Sequence, residues 1–256
     1  MSRLLTAVAT TFVLLGLWQG YVQVSGIEPF LLPGPIAVIE TLIARHELIL
    51  RHLGTTAQEI VLGLLIGTTL GVAAAILIHA IPAARRIGLP LLVISQAVPV
   101  FALAPLLVLW LGYGLWSKVA MAVLIIFFPV TTAFLDGLRR TEPGMLDLAS
   151  IMSATLPPFR RTVALMLHVR IPAALPALAS GLRVATGVAP IGAVVGEWVG
   201  SSAGLGYLML HANGRMQIDL LFAALFVLAL FSVLLWLSVD ALLRRALPWQ
   251  PDSFAR

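Results

Sequence analysis

Cysteine is absent from this 256-residue chain, and charged residues make up only 11% of it. Without cysteine there is no disulfide framework and no thiolate metal site. The histidines offer no alternative: His79 and His168 have no second ligand at a metal-binding spacing and read as interfacial residues. A phosphate-cradling P-loop needs a lysine directly after a glycine-rich turn. The single lysine, Lys118, follows Leu115-Trp116-Ser117, so the chain has no such loop for ATP. Soluble domains are about 25% charged, and this chain falls far below that.

What the chain has instead is apolar length. It is 60% hydrophobic with a mean hydropathy of +1.04. No charged residue occurs in 60–84, 87–117, 119–135 or 220–239. A helix rising 1.5 Å per residue crosses a bilayer in about 20 apolar residues. The runs predict an all-α, polytopic membrane protein of one domain, 1–256, with six transmembrane helices near 4–24, 54–77, 87–111, 115–135, 173–199 and 220–239. The first run lacks a clean small-x-small cleavage site and continues through Trp18-Gln19-Gly20-Tyr21, so it reads as an uncleaved span. Gly63, Gly67 and Gly71 form a small-xxx-small stripe that lets a second helix approach closely. Pro90, Pro99 and Pro105 interrupt the third span, and Gly112-Tyr113-Gly114 predicts a tight turn after it. A surface helix is expected over 36–50, and a glycine-rich loop over 200–219.

The net charge of +5 does not point to nucleic acid, because the arginines cluster at span ends. With the N-terminus inside the cell, the inward loops hold Arg3, Arg85, Arg86, Arg139, Arg140, Arg160, Arg161, Arg170, Arg244, Arg245 and Arg256. The outward loops hold Arg45, Arg51, Lys118 and Arg215. Eleven against four satisfies the positive-inside rule and predicts both termini and the long 141–170 loop on the cytoplasmic side.

Within that loop Met145, Leu148, Ala149, Met152 and Leu156 share one helical face, and Pro157-Pro158 ends the helix. Such a helix can insert into a groove on a partner or rest on lipid headgroups. Inside the spans, Ser95 and Gln96 beside the Pro99 break are pore-lining candidates, since freed carbonyls there can line a cavity. Arg183 can attract an anion or pair with a neighbouring helix. Glu197 with Trp198 can meet an amine-bearing ring, or sit as a carboxylate and aromatic belt at the interface. Gly200-Ser201-Ser202-Ala203-Gly204, with His211 and Asp219 beyond, matches a G-x-S-x-G elbow. No strand pattern precedes it, and Gly192, Gly196, Gly200 and Gly204 also read as helix-packing glycines.

Leu146-Asp147-Leu148-Ala149, Val169-Arg170-Ile171-Pro172-Ala173-Ala174-Leu175-Pro176 and Ser180-Gly181-Leu182-Arg183 resemble the cytoplasmic loop of permease subunits of binding-protein-dependent ABC importers. The likeness runs from Leu32-Pro33-Gly34-Pro35 through Pro99-Val100-Phe101-Ala102-Leu103-Ala104-Pro105 to Gly204-Leu205-Gly206-Tyr207. It is nearest in look to the nitrate, sulfonate and taurine type. Within that type, Val188–Trp198 and Gly206–Asn213 look most like permeases for thiamine-precursor pyrimidines.

The resemblance implies a type I importer permease of the bacterial inner membrane. It implies a second permease copy beside this one in the membrane lipid, two ATPase subunits docked beneath them and an external binding protein. ATP and Mg would belong to the ATPase, with no cofactor on this chain. It implies a coupling helix in which Met145, Asp147, Leu148, Ala149, Met152 and Leu156 meet the ATPase. A thiamine-precursor pyrimidine is the first solute it suggests, with sulfonate, taurine or nitrate behind. Ser153 stands where the family pattern has glycine, and the exit of the loop, through Leu156-Pro157-Pro158-Phe159 and 162–167, is longer than the pattern. Two other classes remain beside this one: a secondary carrier using Glu197 and Glu59 as coupling-ion carboxylates, and an intramembrane serine hydrolase.

Overall fold

The computed structural model describes residues 2–249, so Arg256, counted above among the inward arginines, lies outside the described residues. The described chain is helical, with eleven α-helices and one π-turn and no strand among them. Helix α1 (Ser2–Ser25) leads to α2 (Pro35–Ala44), α3 (His46–Ala80), α4 (Pro82–Ala97), α5 (Val100–Leu111) and α6 (Leu115–Arg139). Then come α7 (Pro143–Met152), α8 (Pro158–Leu165), a π-turn (Met166–Arg170), α9 (Ile171–Gly200), α10 (Leu205–Gly214) and α11 (Ile218–Ala246).

Helices α3, α6 and α11, with α9 continued backward through α8, are long and apolar enough to cross a membrane. The α4–α5 pair, bent by 100°, makes a fifth crossing if taken as one broken span. At 24 residues α1 also has the length of a span. The expected third span is thus no single rod. Of its three prolines only Pro99 breaks the helix: it forces Val98 into an extended conformation (φ −87°, ψ 118°), while Pro90 and Pro105 stay inside α4 and α5. The turn at Gly112 has φ +79°, a conformation that disfavours any side chain.

Two other expectations are corrected. The surface helix expected over 36–50 is divided at Arg45, and its second half becomes the start of α3, which runs 35 residues instead of beginning near Gly54. The stretch 200–219 contains a ten-residue helix, α10, where a loop was expected.

Helix α6 lies between α3 and α9, and the glycines explain how. A Cβ on Gly63 would lie 2.5 Å from the Ala122 side chain, and one on Gly71 would lie 2.9 Å from that of Val130. On the other side, a Cβ on Gly192 would lie 2.7 Å from the Ala122 backbone. The three helices close on one another because no Cβ keeps them apart, the packing that the glycine spacing implies. The middle layer holds Ile60, Ile126, Val130, Ala185 and Ala189, all fully buried. One end is filled by Ile49, Leu205, Leu208 and Leu220, the other by Ile78, Leu92, Phe134 and Leu138. Outward-facing apolar residues such as Leu109 and Phe101 stay exposed, as they do on a surface solvated by lipid.

Candidate functional site

An open groove of about 580 Å³ runs along the joint of α6 and α9. Residues 125, 128, 132 and 136 of α6 recur every three or four positions, so they share one face; 180, 184, 188 and 191 of α9 do the same. Gln96 reaches the groove from the end of α4, beside the Pro99 break. The polar side chains are Gln96, Thr132, Asp136 and Ser180, and Phe128 supplies an aromatic face. No arginine, lysine or histidine lines it. Pro129 has no N–H to give, so the carbonyl of Ile125, also at the groove, is left without its helical donor. The floor is tight: a Cβ on Gly181 would lie 2.7 Å from the Pro129 carbonyl oxygen.

Of the residues singled out in the spans, Gln96 alone is brought to this groove. Ser95 turns back to donate to the Leu92 carbonyl at 2.8 Å. Arg183 donates to Asp240 of α11 at 2.6 Å, and Arg244 holds the second carboxylate oxygen of Asp240 at 2.8 Å. Of the two readings left open for Arg183, the structure displays the pairing one. Asp240 could not have been chosen as its partner from sequence, because 57 residues separate them. Thr132, Asp136 and Ser180 were missed for a similar reason: each is an ordinary polar residue until two helices face each other.

Glu197 and Trp198 part company. Trp198 is half exposed, whereas Glu197 is 1% exposed and serves α10. The first amides of a helix have no partner within it, and here side chains of α3 and α9 take four in succession. Gly204 N–H donates to His52 Nδ1 at 2.9 Å, and Leu205 N–H donates to the Thr56 hydroxyl at 2.7 Å. Gly206 and Tyr207 N–H donate to Glu197 Oε2. Thr56 in turn donates to Glu197 Oε1 at 2.6 Å. Gly204 has φ +111°, and a Cβ there would collide with the Glu197 carboxyl. Glu59 lies beside Glu197 and Lys118, fully buried, and its oxygens find no hydrogen-bond partner among the described residues. Lys118, expected in an open turn, is buried and donates to the carbonyls of Tyr113 and Gly114. Glu197 is therefore neither facing the groove nor resting at a wet interface.

At the opposite end of the bundle α7 buries no residue. Met145, Leu148, Ile151 and Met152 are all exposed. Asp147 is exposed and Ala149 partly so. Leu156 is exposed too, but α7 stops at Met152, so Leu156 is off the helix that was expected to include it. Ser153 has φ −97° and ψ 9°, so the position needs no glycine, and its hydroxyl donates to the Ala149 carbonyl at 2.7 Å. The longer exit of the loop is helical: α8 enters α9 through the π-turn, which fits one more residue per turn than an α-turn.

The elements of a hydrolase are not assembled. Ser202 follows the end of α9 with no strand before it, Asp219 accepts from Thr41 at 2.6 Å, and His211 Nδ1 lies 3.2 Å from the Tyr207 carbonyl.

The family described as "binding-protein-dependent transport system inner membrane component" matches residues 67–249. The chain belongs to this family of importer permeases. It is 53% identical to a probable ABC transporter permease of Haemophilus influenzae, over 95% of this chain and 97% of that one. It is 38% identical to the formylaminopyrimidine transport permease ThiX of Halalkalibacterium halodurans, over 93% of each. It is 30% identical to the taurine transport permease TauC of Escherichia coli, over 98% of this chain and 92% of that one. The permease is thus a multi-pass inner-membrane subunit of an ABC importer and not an enzyme. ATP is used by a partner ATPase, and a binding protein is the other partner such importers work with.

Proposed function

We propose that this permease pairs with a second copy of itself, that their facing α6–α9 grooves enclose the path, and that the solute is a thiamine-precursor pyrimidine. The observation that carries the solute is the chemistry of the groove. Gln96 and Ser180 offer donors and acceptors, Thr132 an acceptor only because its hydroxyl donates to the Phe128 carbonyl at 2.8 Å, Asp136 suits an amine, and Phe128 offers a stacking face, while no cation lines it. A sulfonate or nitrate would meet the Asp136 carboxylate and no positive charge on the groove's own lining, the nearby Arg140 belonging to the adjoining pocket, which disfavours the taurine-type reading. The likeness to a formylaminopyrimidine permease agrees with the choice.

The excess of arginine at the α7 end supports placing that end, and both termini, in the cytoplasm. Two ATPase subunits would then grip the exposed face of α7 through Met145, Leu148 and Met152, with Asp147 and Ala149 beside them and Leu156 just past the helix. The binding protein would dock at the end holding α2 and α10. Coupling requires that α7 make different contacts in the two states of the ATPase.

The test is uptake by cells carrying the permease with its ATPase and binding protein. Labelled formylaminopyrimidine should accumulate, and Gln96→Ala with Asp136→Asn should slow it at least tenfold without changing the amount of protein in the membrane. Accumulation of taurine in its place, unaffected by these substitutions, would sink the proposal.

A further inference from the structure

A second cavity, of about 620 Å³, sits at the α7 end between the C-terminus of α3, the start of α4, the end of α6 and the α8–π-turn segment. Four of its lining residues are His79, Arg85, Arg139 and Arg170, and no carboxylate is among them. Among the described residues the ion pairs within 4.0 Å all involve Asp240. The three guanidiniums here thus surround one imidazole with no carboxylate paired to them among the described residues. Mutual repulsion makes such a cluster unfavourable until an anion enters it.

The hydrogen bonds show which groups are still free to bind. Arg85 spends its donors on the carbonyls at the end of α3, Ile78 and His79. Arg170 Nη1 lies 2.7 Å from His79 Nε2. Arginine only donates, so Nε2 accepts and the ring hydrogen is on Nδ1. That Nδ1 is buried without a partner, an N–H donor left over in a cationic pocket. Arg139 makes no hydrogen bond within the described residues, so its whole guanidinium is available.

The neighbouring surface says what kind of anion fits. Thr162, Leu165 and Met166 of the α8 segment face the pocket. On the next face of the same segment Phe159, Val163 and Leu167, spaced four apart, stay exposed. A cationic cavity beside an apolar stripe is complementary to a molecule with a phosphate at one end and hydrocarbon at the other. We infer that this pocket binds the phosphate of an anionic phospholipid, held by Arg139, Arg170 and the free Nδ1–H of His79, with an acyl chain along Phe159, Val163 and Leu167. A lipid bound there would brace the segment from which α7 hangs.

Native mass spectrometry of the full-length permease, titrated with phosphatidylglycerol or phosphatidylcholine in detergent, tests this. Phosphatidylglycerol should bind the more tightly. Arg139→Gln and Arg170→Gln should each weaken it about fivefold, as expected for one basic residue near a lipid phosphate. Arg139→Lys should recover most of the loss, and Arg245→Gln should behave as the parent. Because Arg139 has no partner within the described chain, its replacement removes charge without removing a fold contact. Equal binding of the two lipids by the parent overturns the inference, as does unchanged binding by both glutamine variants. Displacement of phosphatidylglycerol by millimolar inorganic phosphate would mean a site for the soluble anion, and displacement by the ATPase subunit a site for an acidic protein segment; either result rejects the lipid.

Discussion

At one end of the bundle the amide of Gly204 and the first three of α10 are taken by side chains of α3 and α9, with Glu197 only 1% exposed; at the other, α7 buries nothing and Met152 is 77% exposed. At the first end the amides that open α10 all find their acceptors within the chain. The second leaves its apolar face uncovered, attached to the bundle through α8 and the π-turn. The coupling role proposed for α7 would need this division, because a lever must be free to follow its partner while the helices it moves stay together. Buried amides fix a helix end in place when each one has an acceptor, whereas an exposed apolar face is stable only against a partner.

Four substitutions test this contrast, in descending order of their effect on folding. Glu197→Ala should be the most damaging. It strips acceptors from two amides and the Thr56 hydroxyl in a buried site, and should cost about 3 kcal/mol or more. The thermal unfolding midpoint of the purified chain in detergent measures it, and a loss under about 1 kcal/mol would mean that the α10 latch contributes little. Gly192→Val comes next, because its Cβ would lie 2.7 Å from the Ala122 backbone, which cannot yield. Overpacking of this kind costs about 1–3 kcal/mol, and the same unfolding measurement should show it.

Asp240→Ala should have a smaller effect, about 1–2 kcal/mol, since it removes the carboxylate that Arg183 and Arg244 share at a partly exposed joint of α9 and α11. Reversing the charge of residue 183 along with that of residue 240 should recover part of the loss. Leu148→Asp should shift stability by less than about 0.5 kcal/mol, yet uptake should stop and copurification of the ATPase should fall. Normal uptake by that variant would remove α7 from its assigned role.

Much of this arrangement was legible in the chain before any coordinates. The apolar helices, the glycine stripes of α3 and α9, the turn at Gly112 and the α7 helix follow from local periodicity and composition, which act over a few residues. The break at Pro99 was legible as one of three prolines, but which of them bends the chain depended on the packing of α4 and α5. Glu197 shows the opposite case. Its burial and its service to α10 depend on Thr56 in another helix and on the conformation of Gly204, and no spacing in the sequence announces either. Gln96 was found because a polar residue next to a helix break has few other reasons to be there; Asp136, Thr132 and Ser180 carried no such mark.

The sequence alone determined that this chain lives in a bilayer as a helical bundle, that its arginines gather at its span ends, and that it carries no P-loop motif, because hydropathy, charge and motif content are read residue by residue. Only the tertiary structure decided that Arg183 belongs to Asp240, that Glu197 holds a helix end, and that Arg139 and Arg170 converge on His79. Such pairings join residues far apart in the chain, and they form only when close approach of the glycine-faced helices brings those residues within reach.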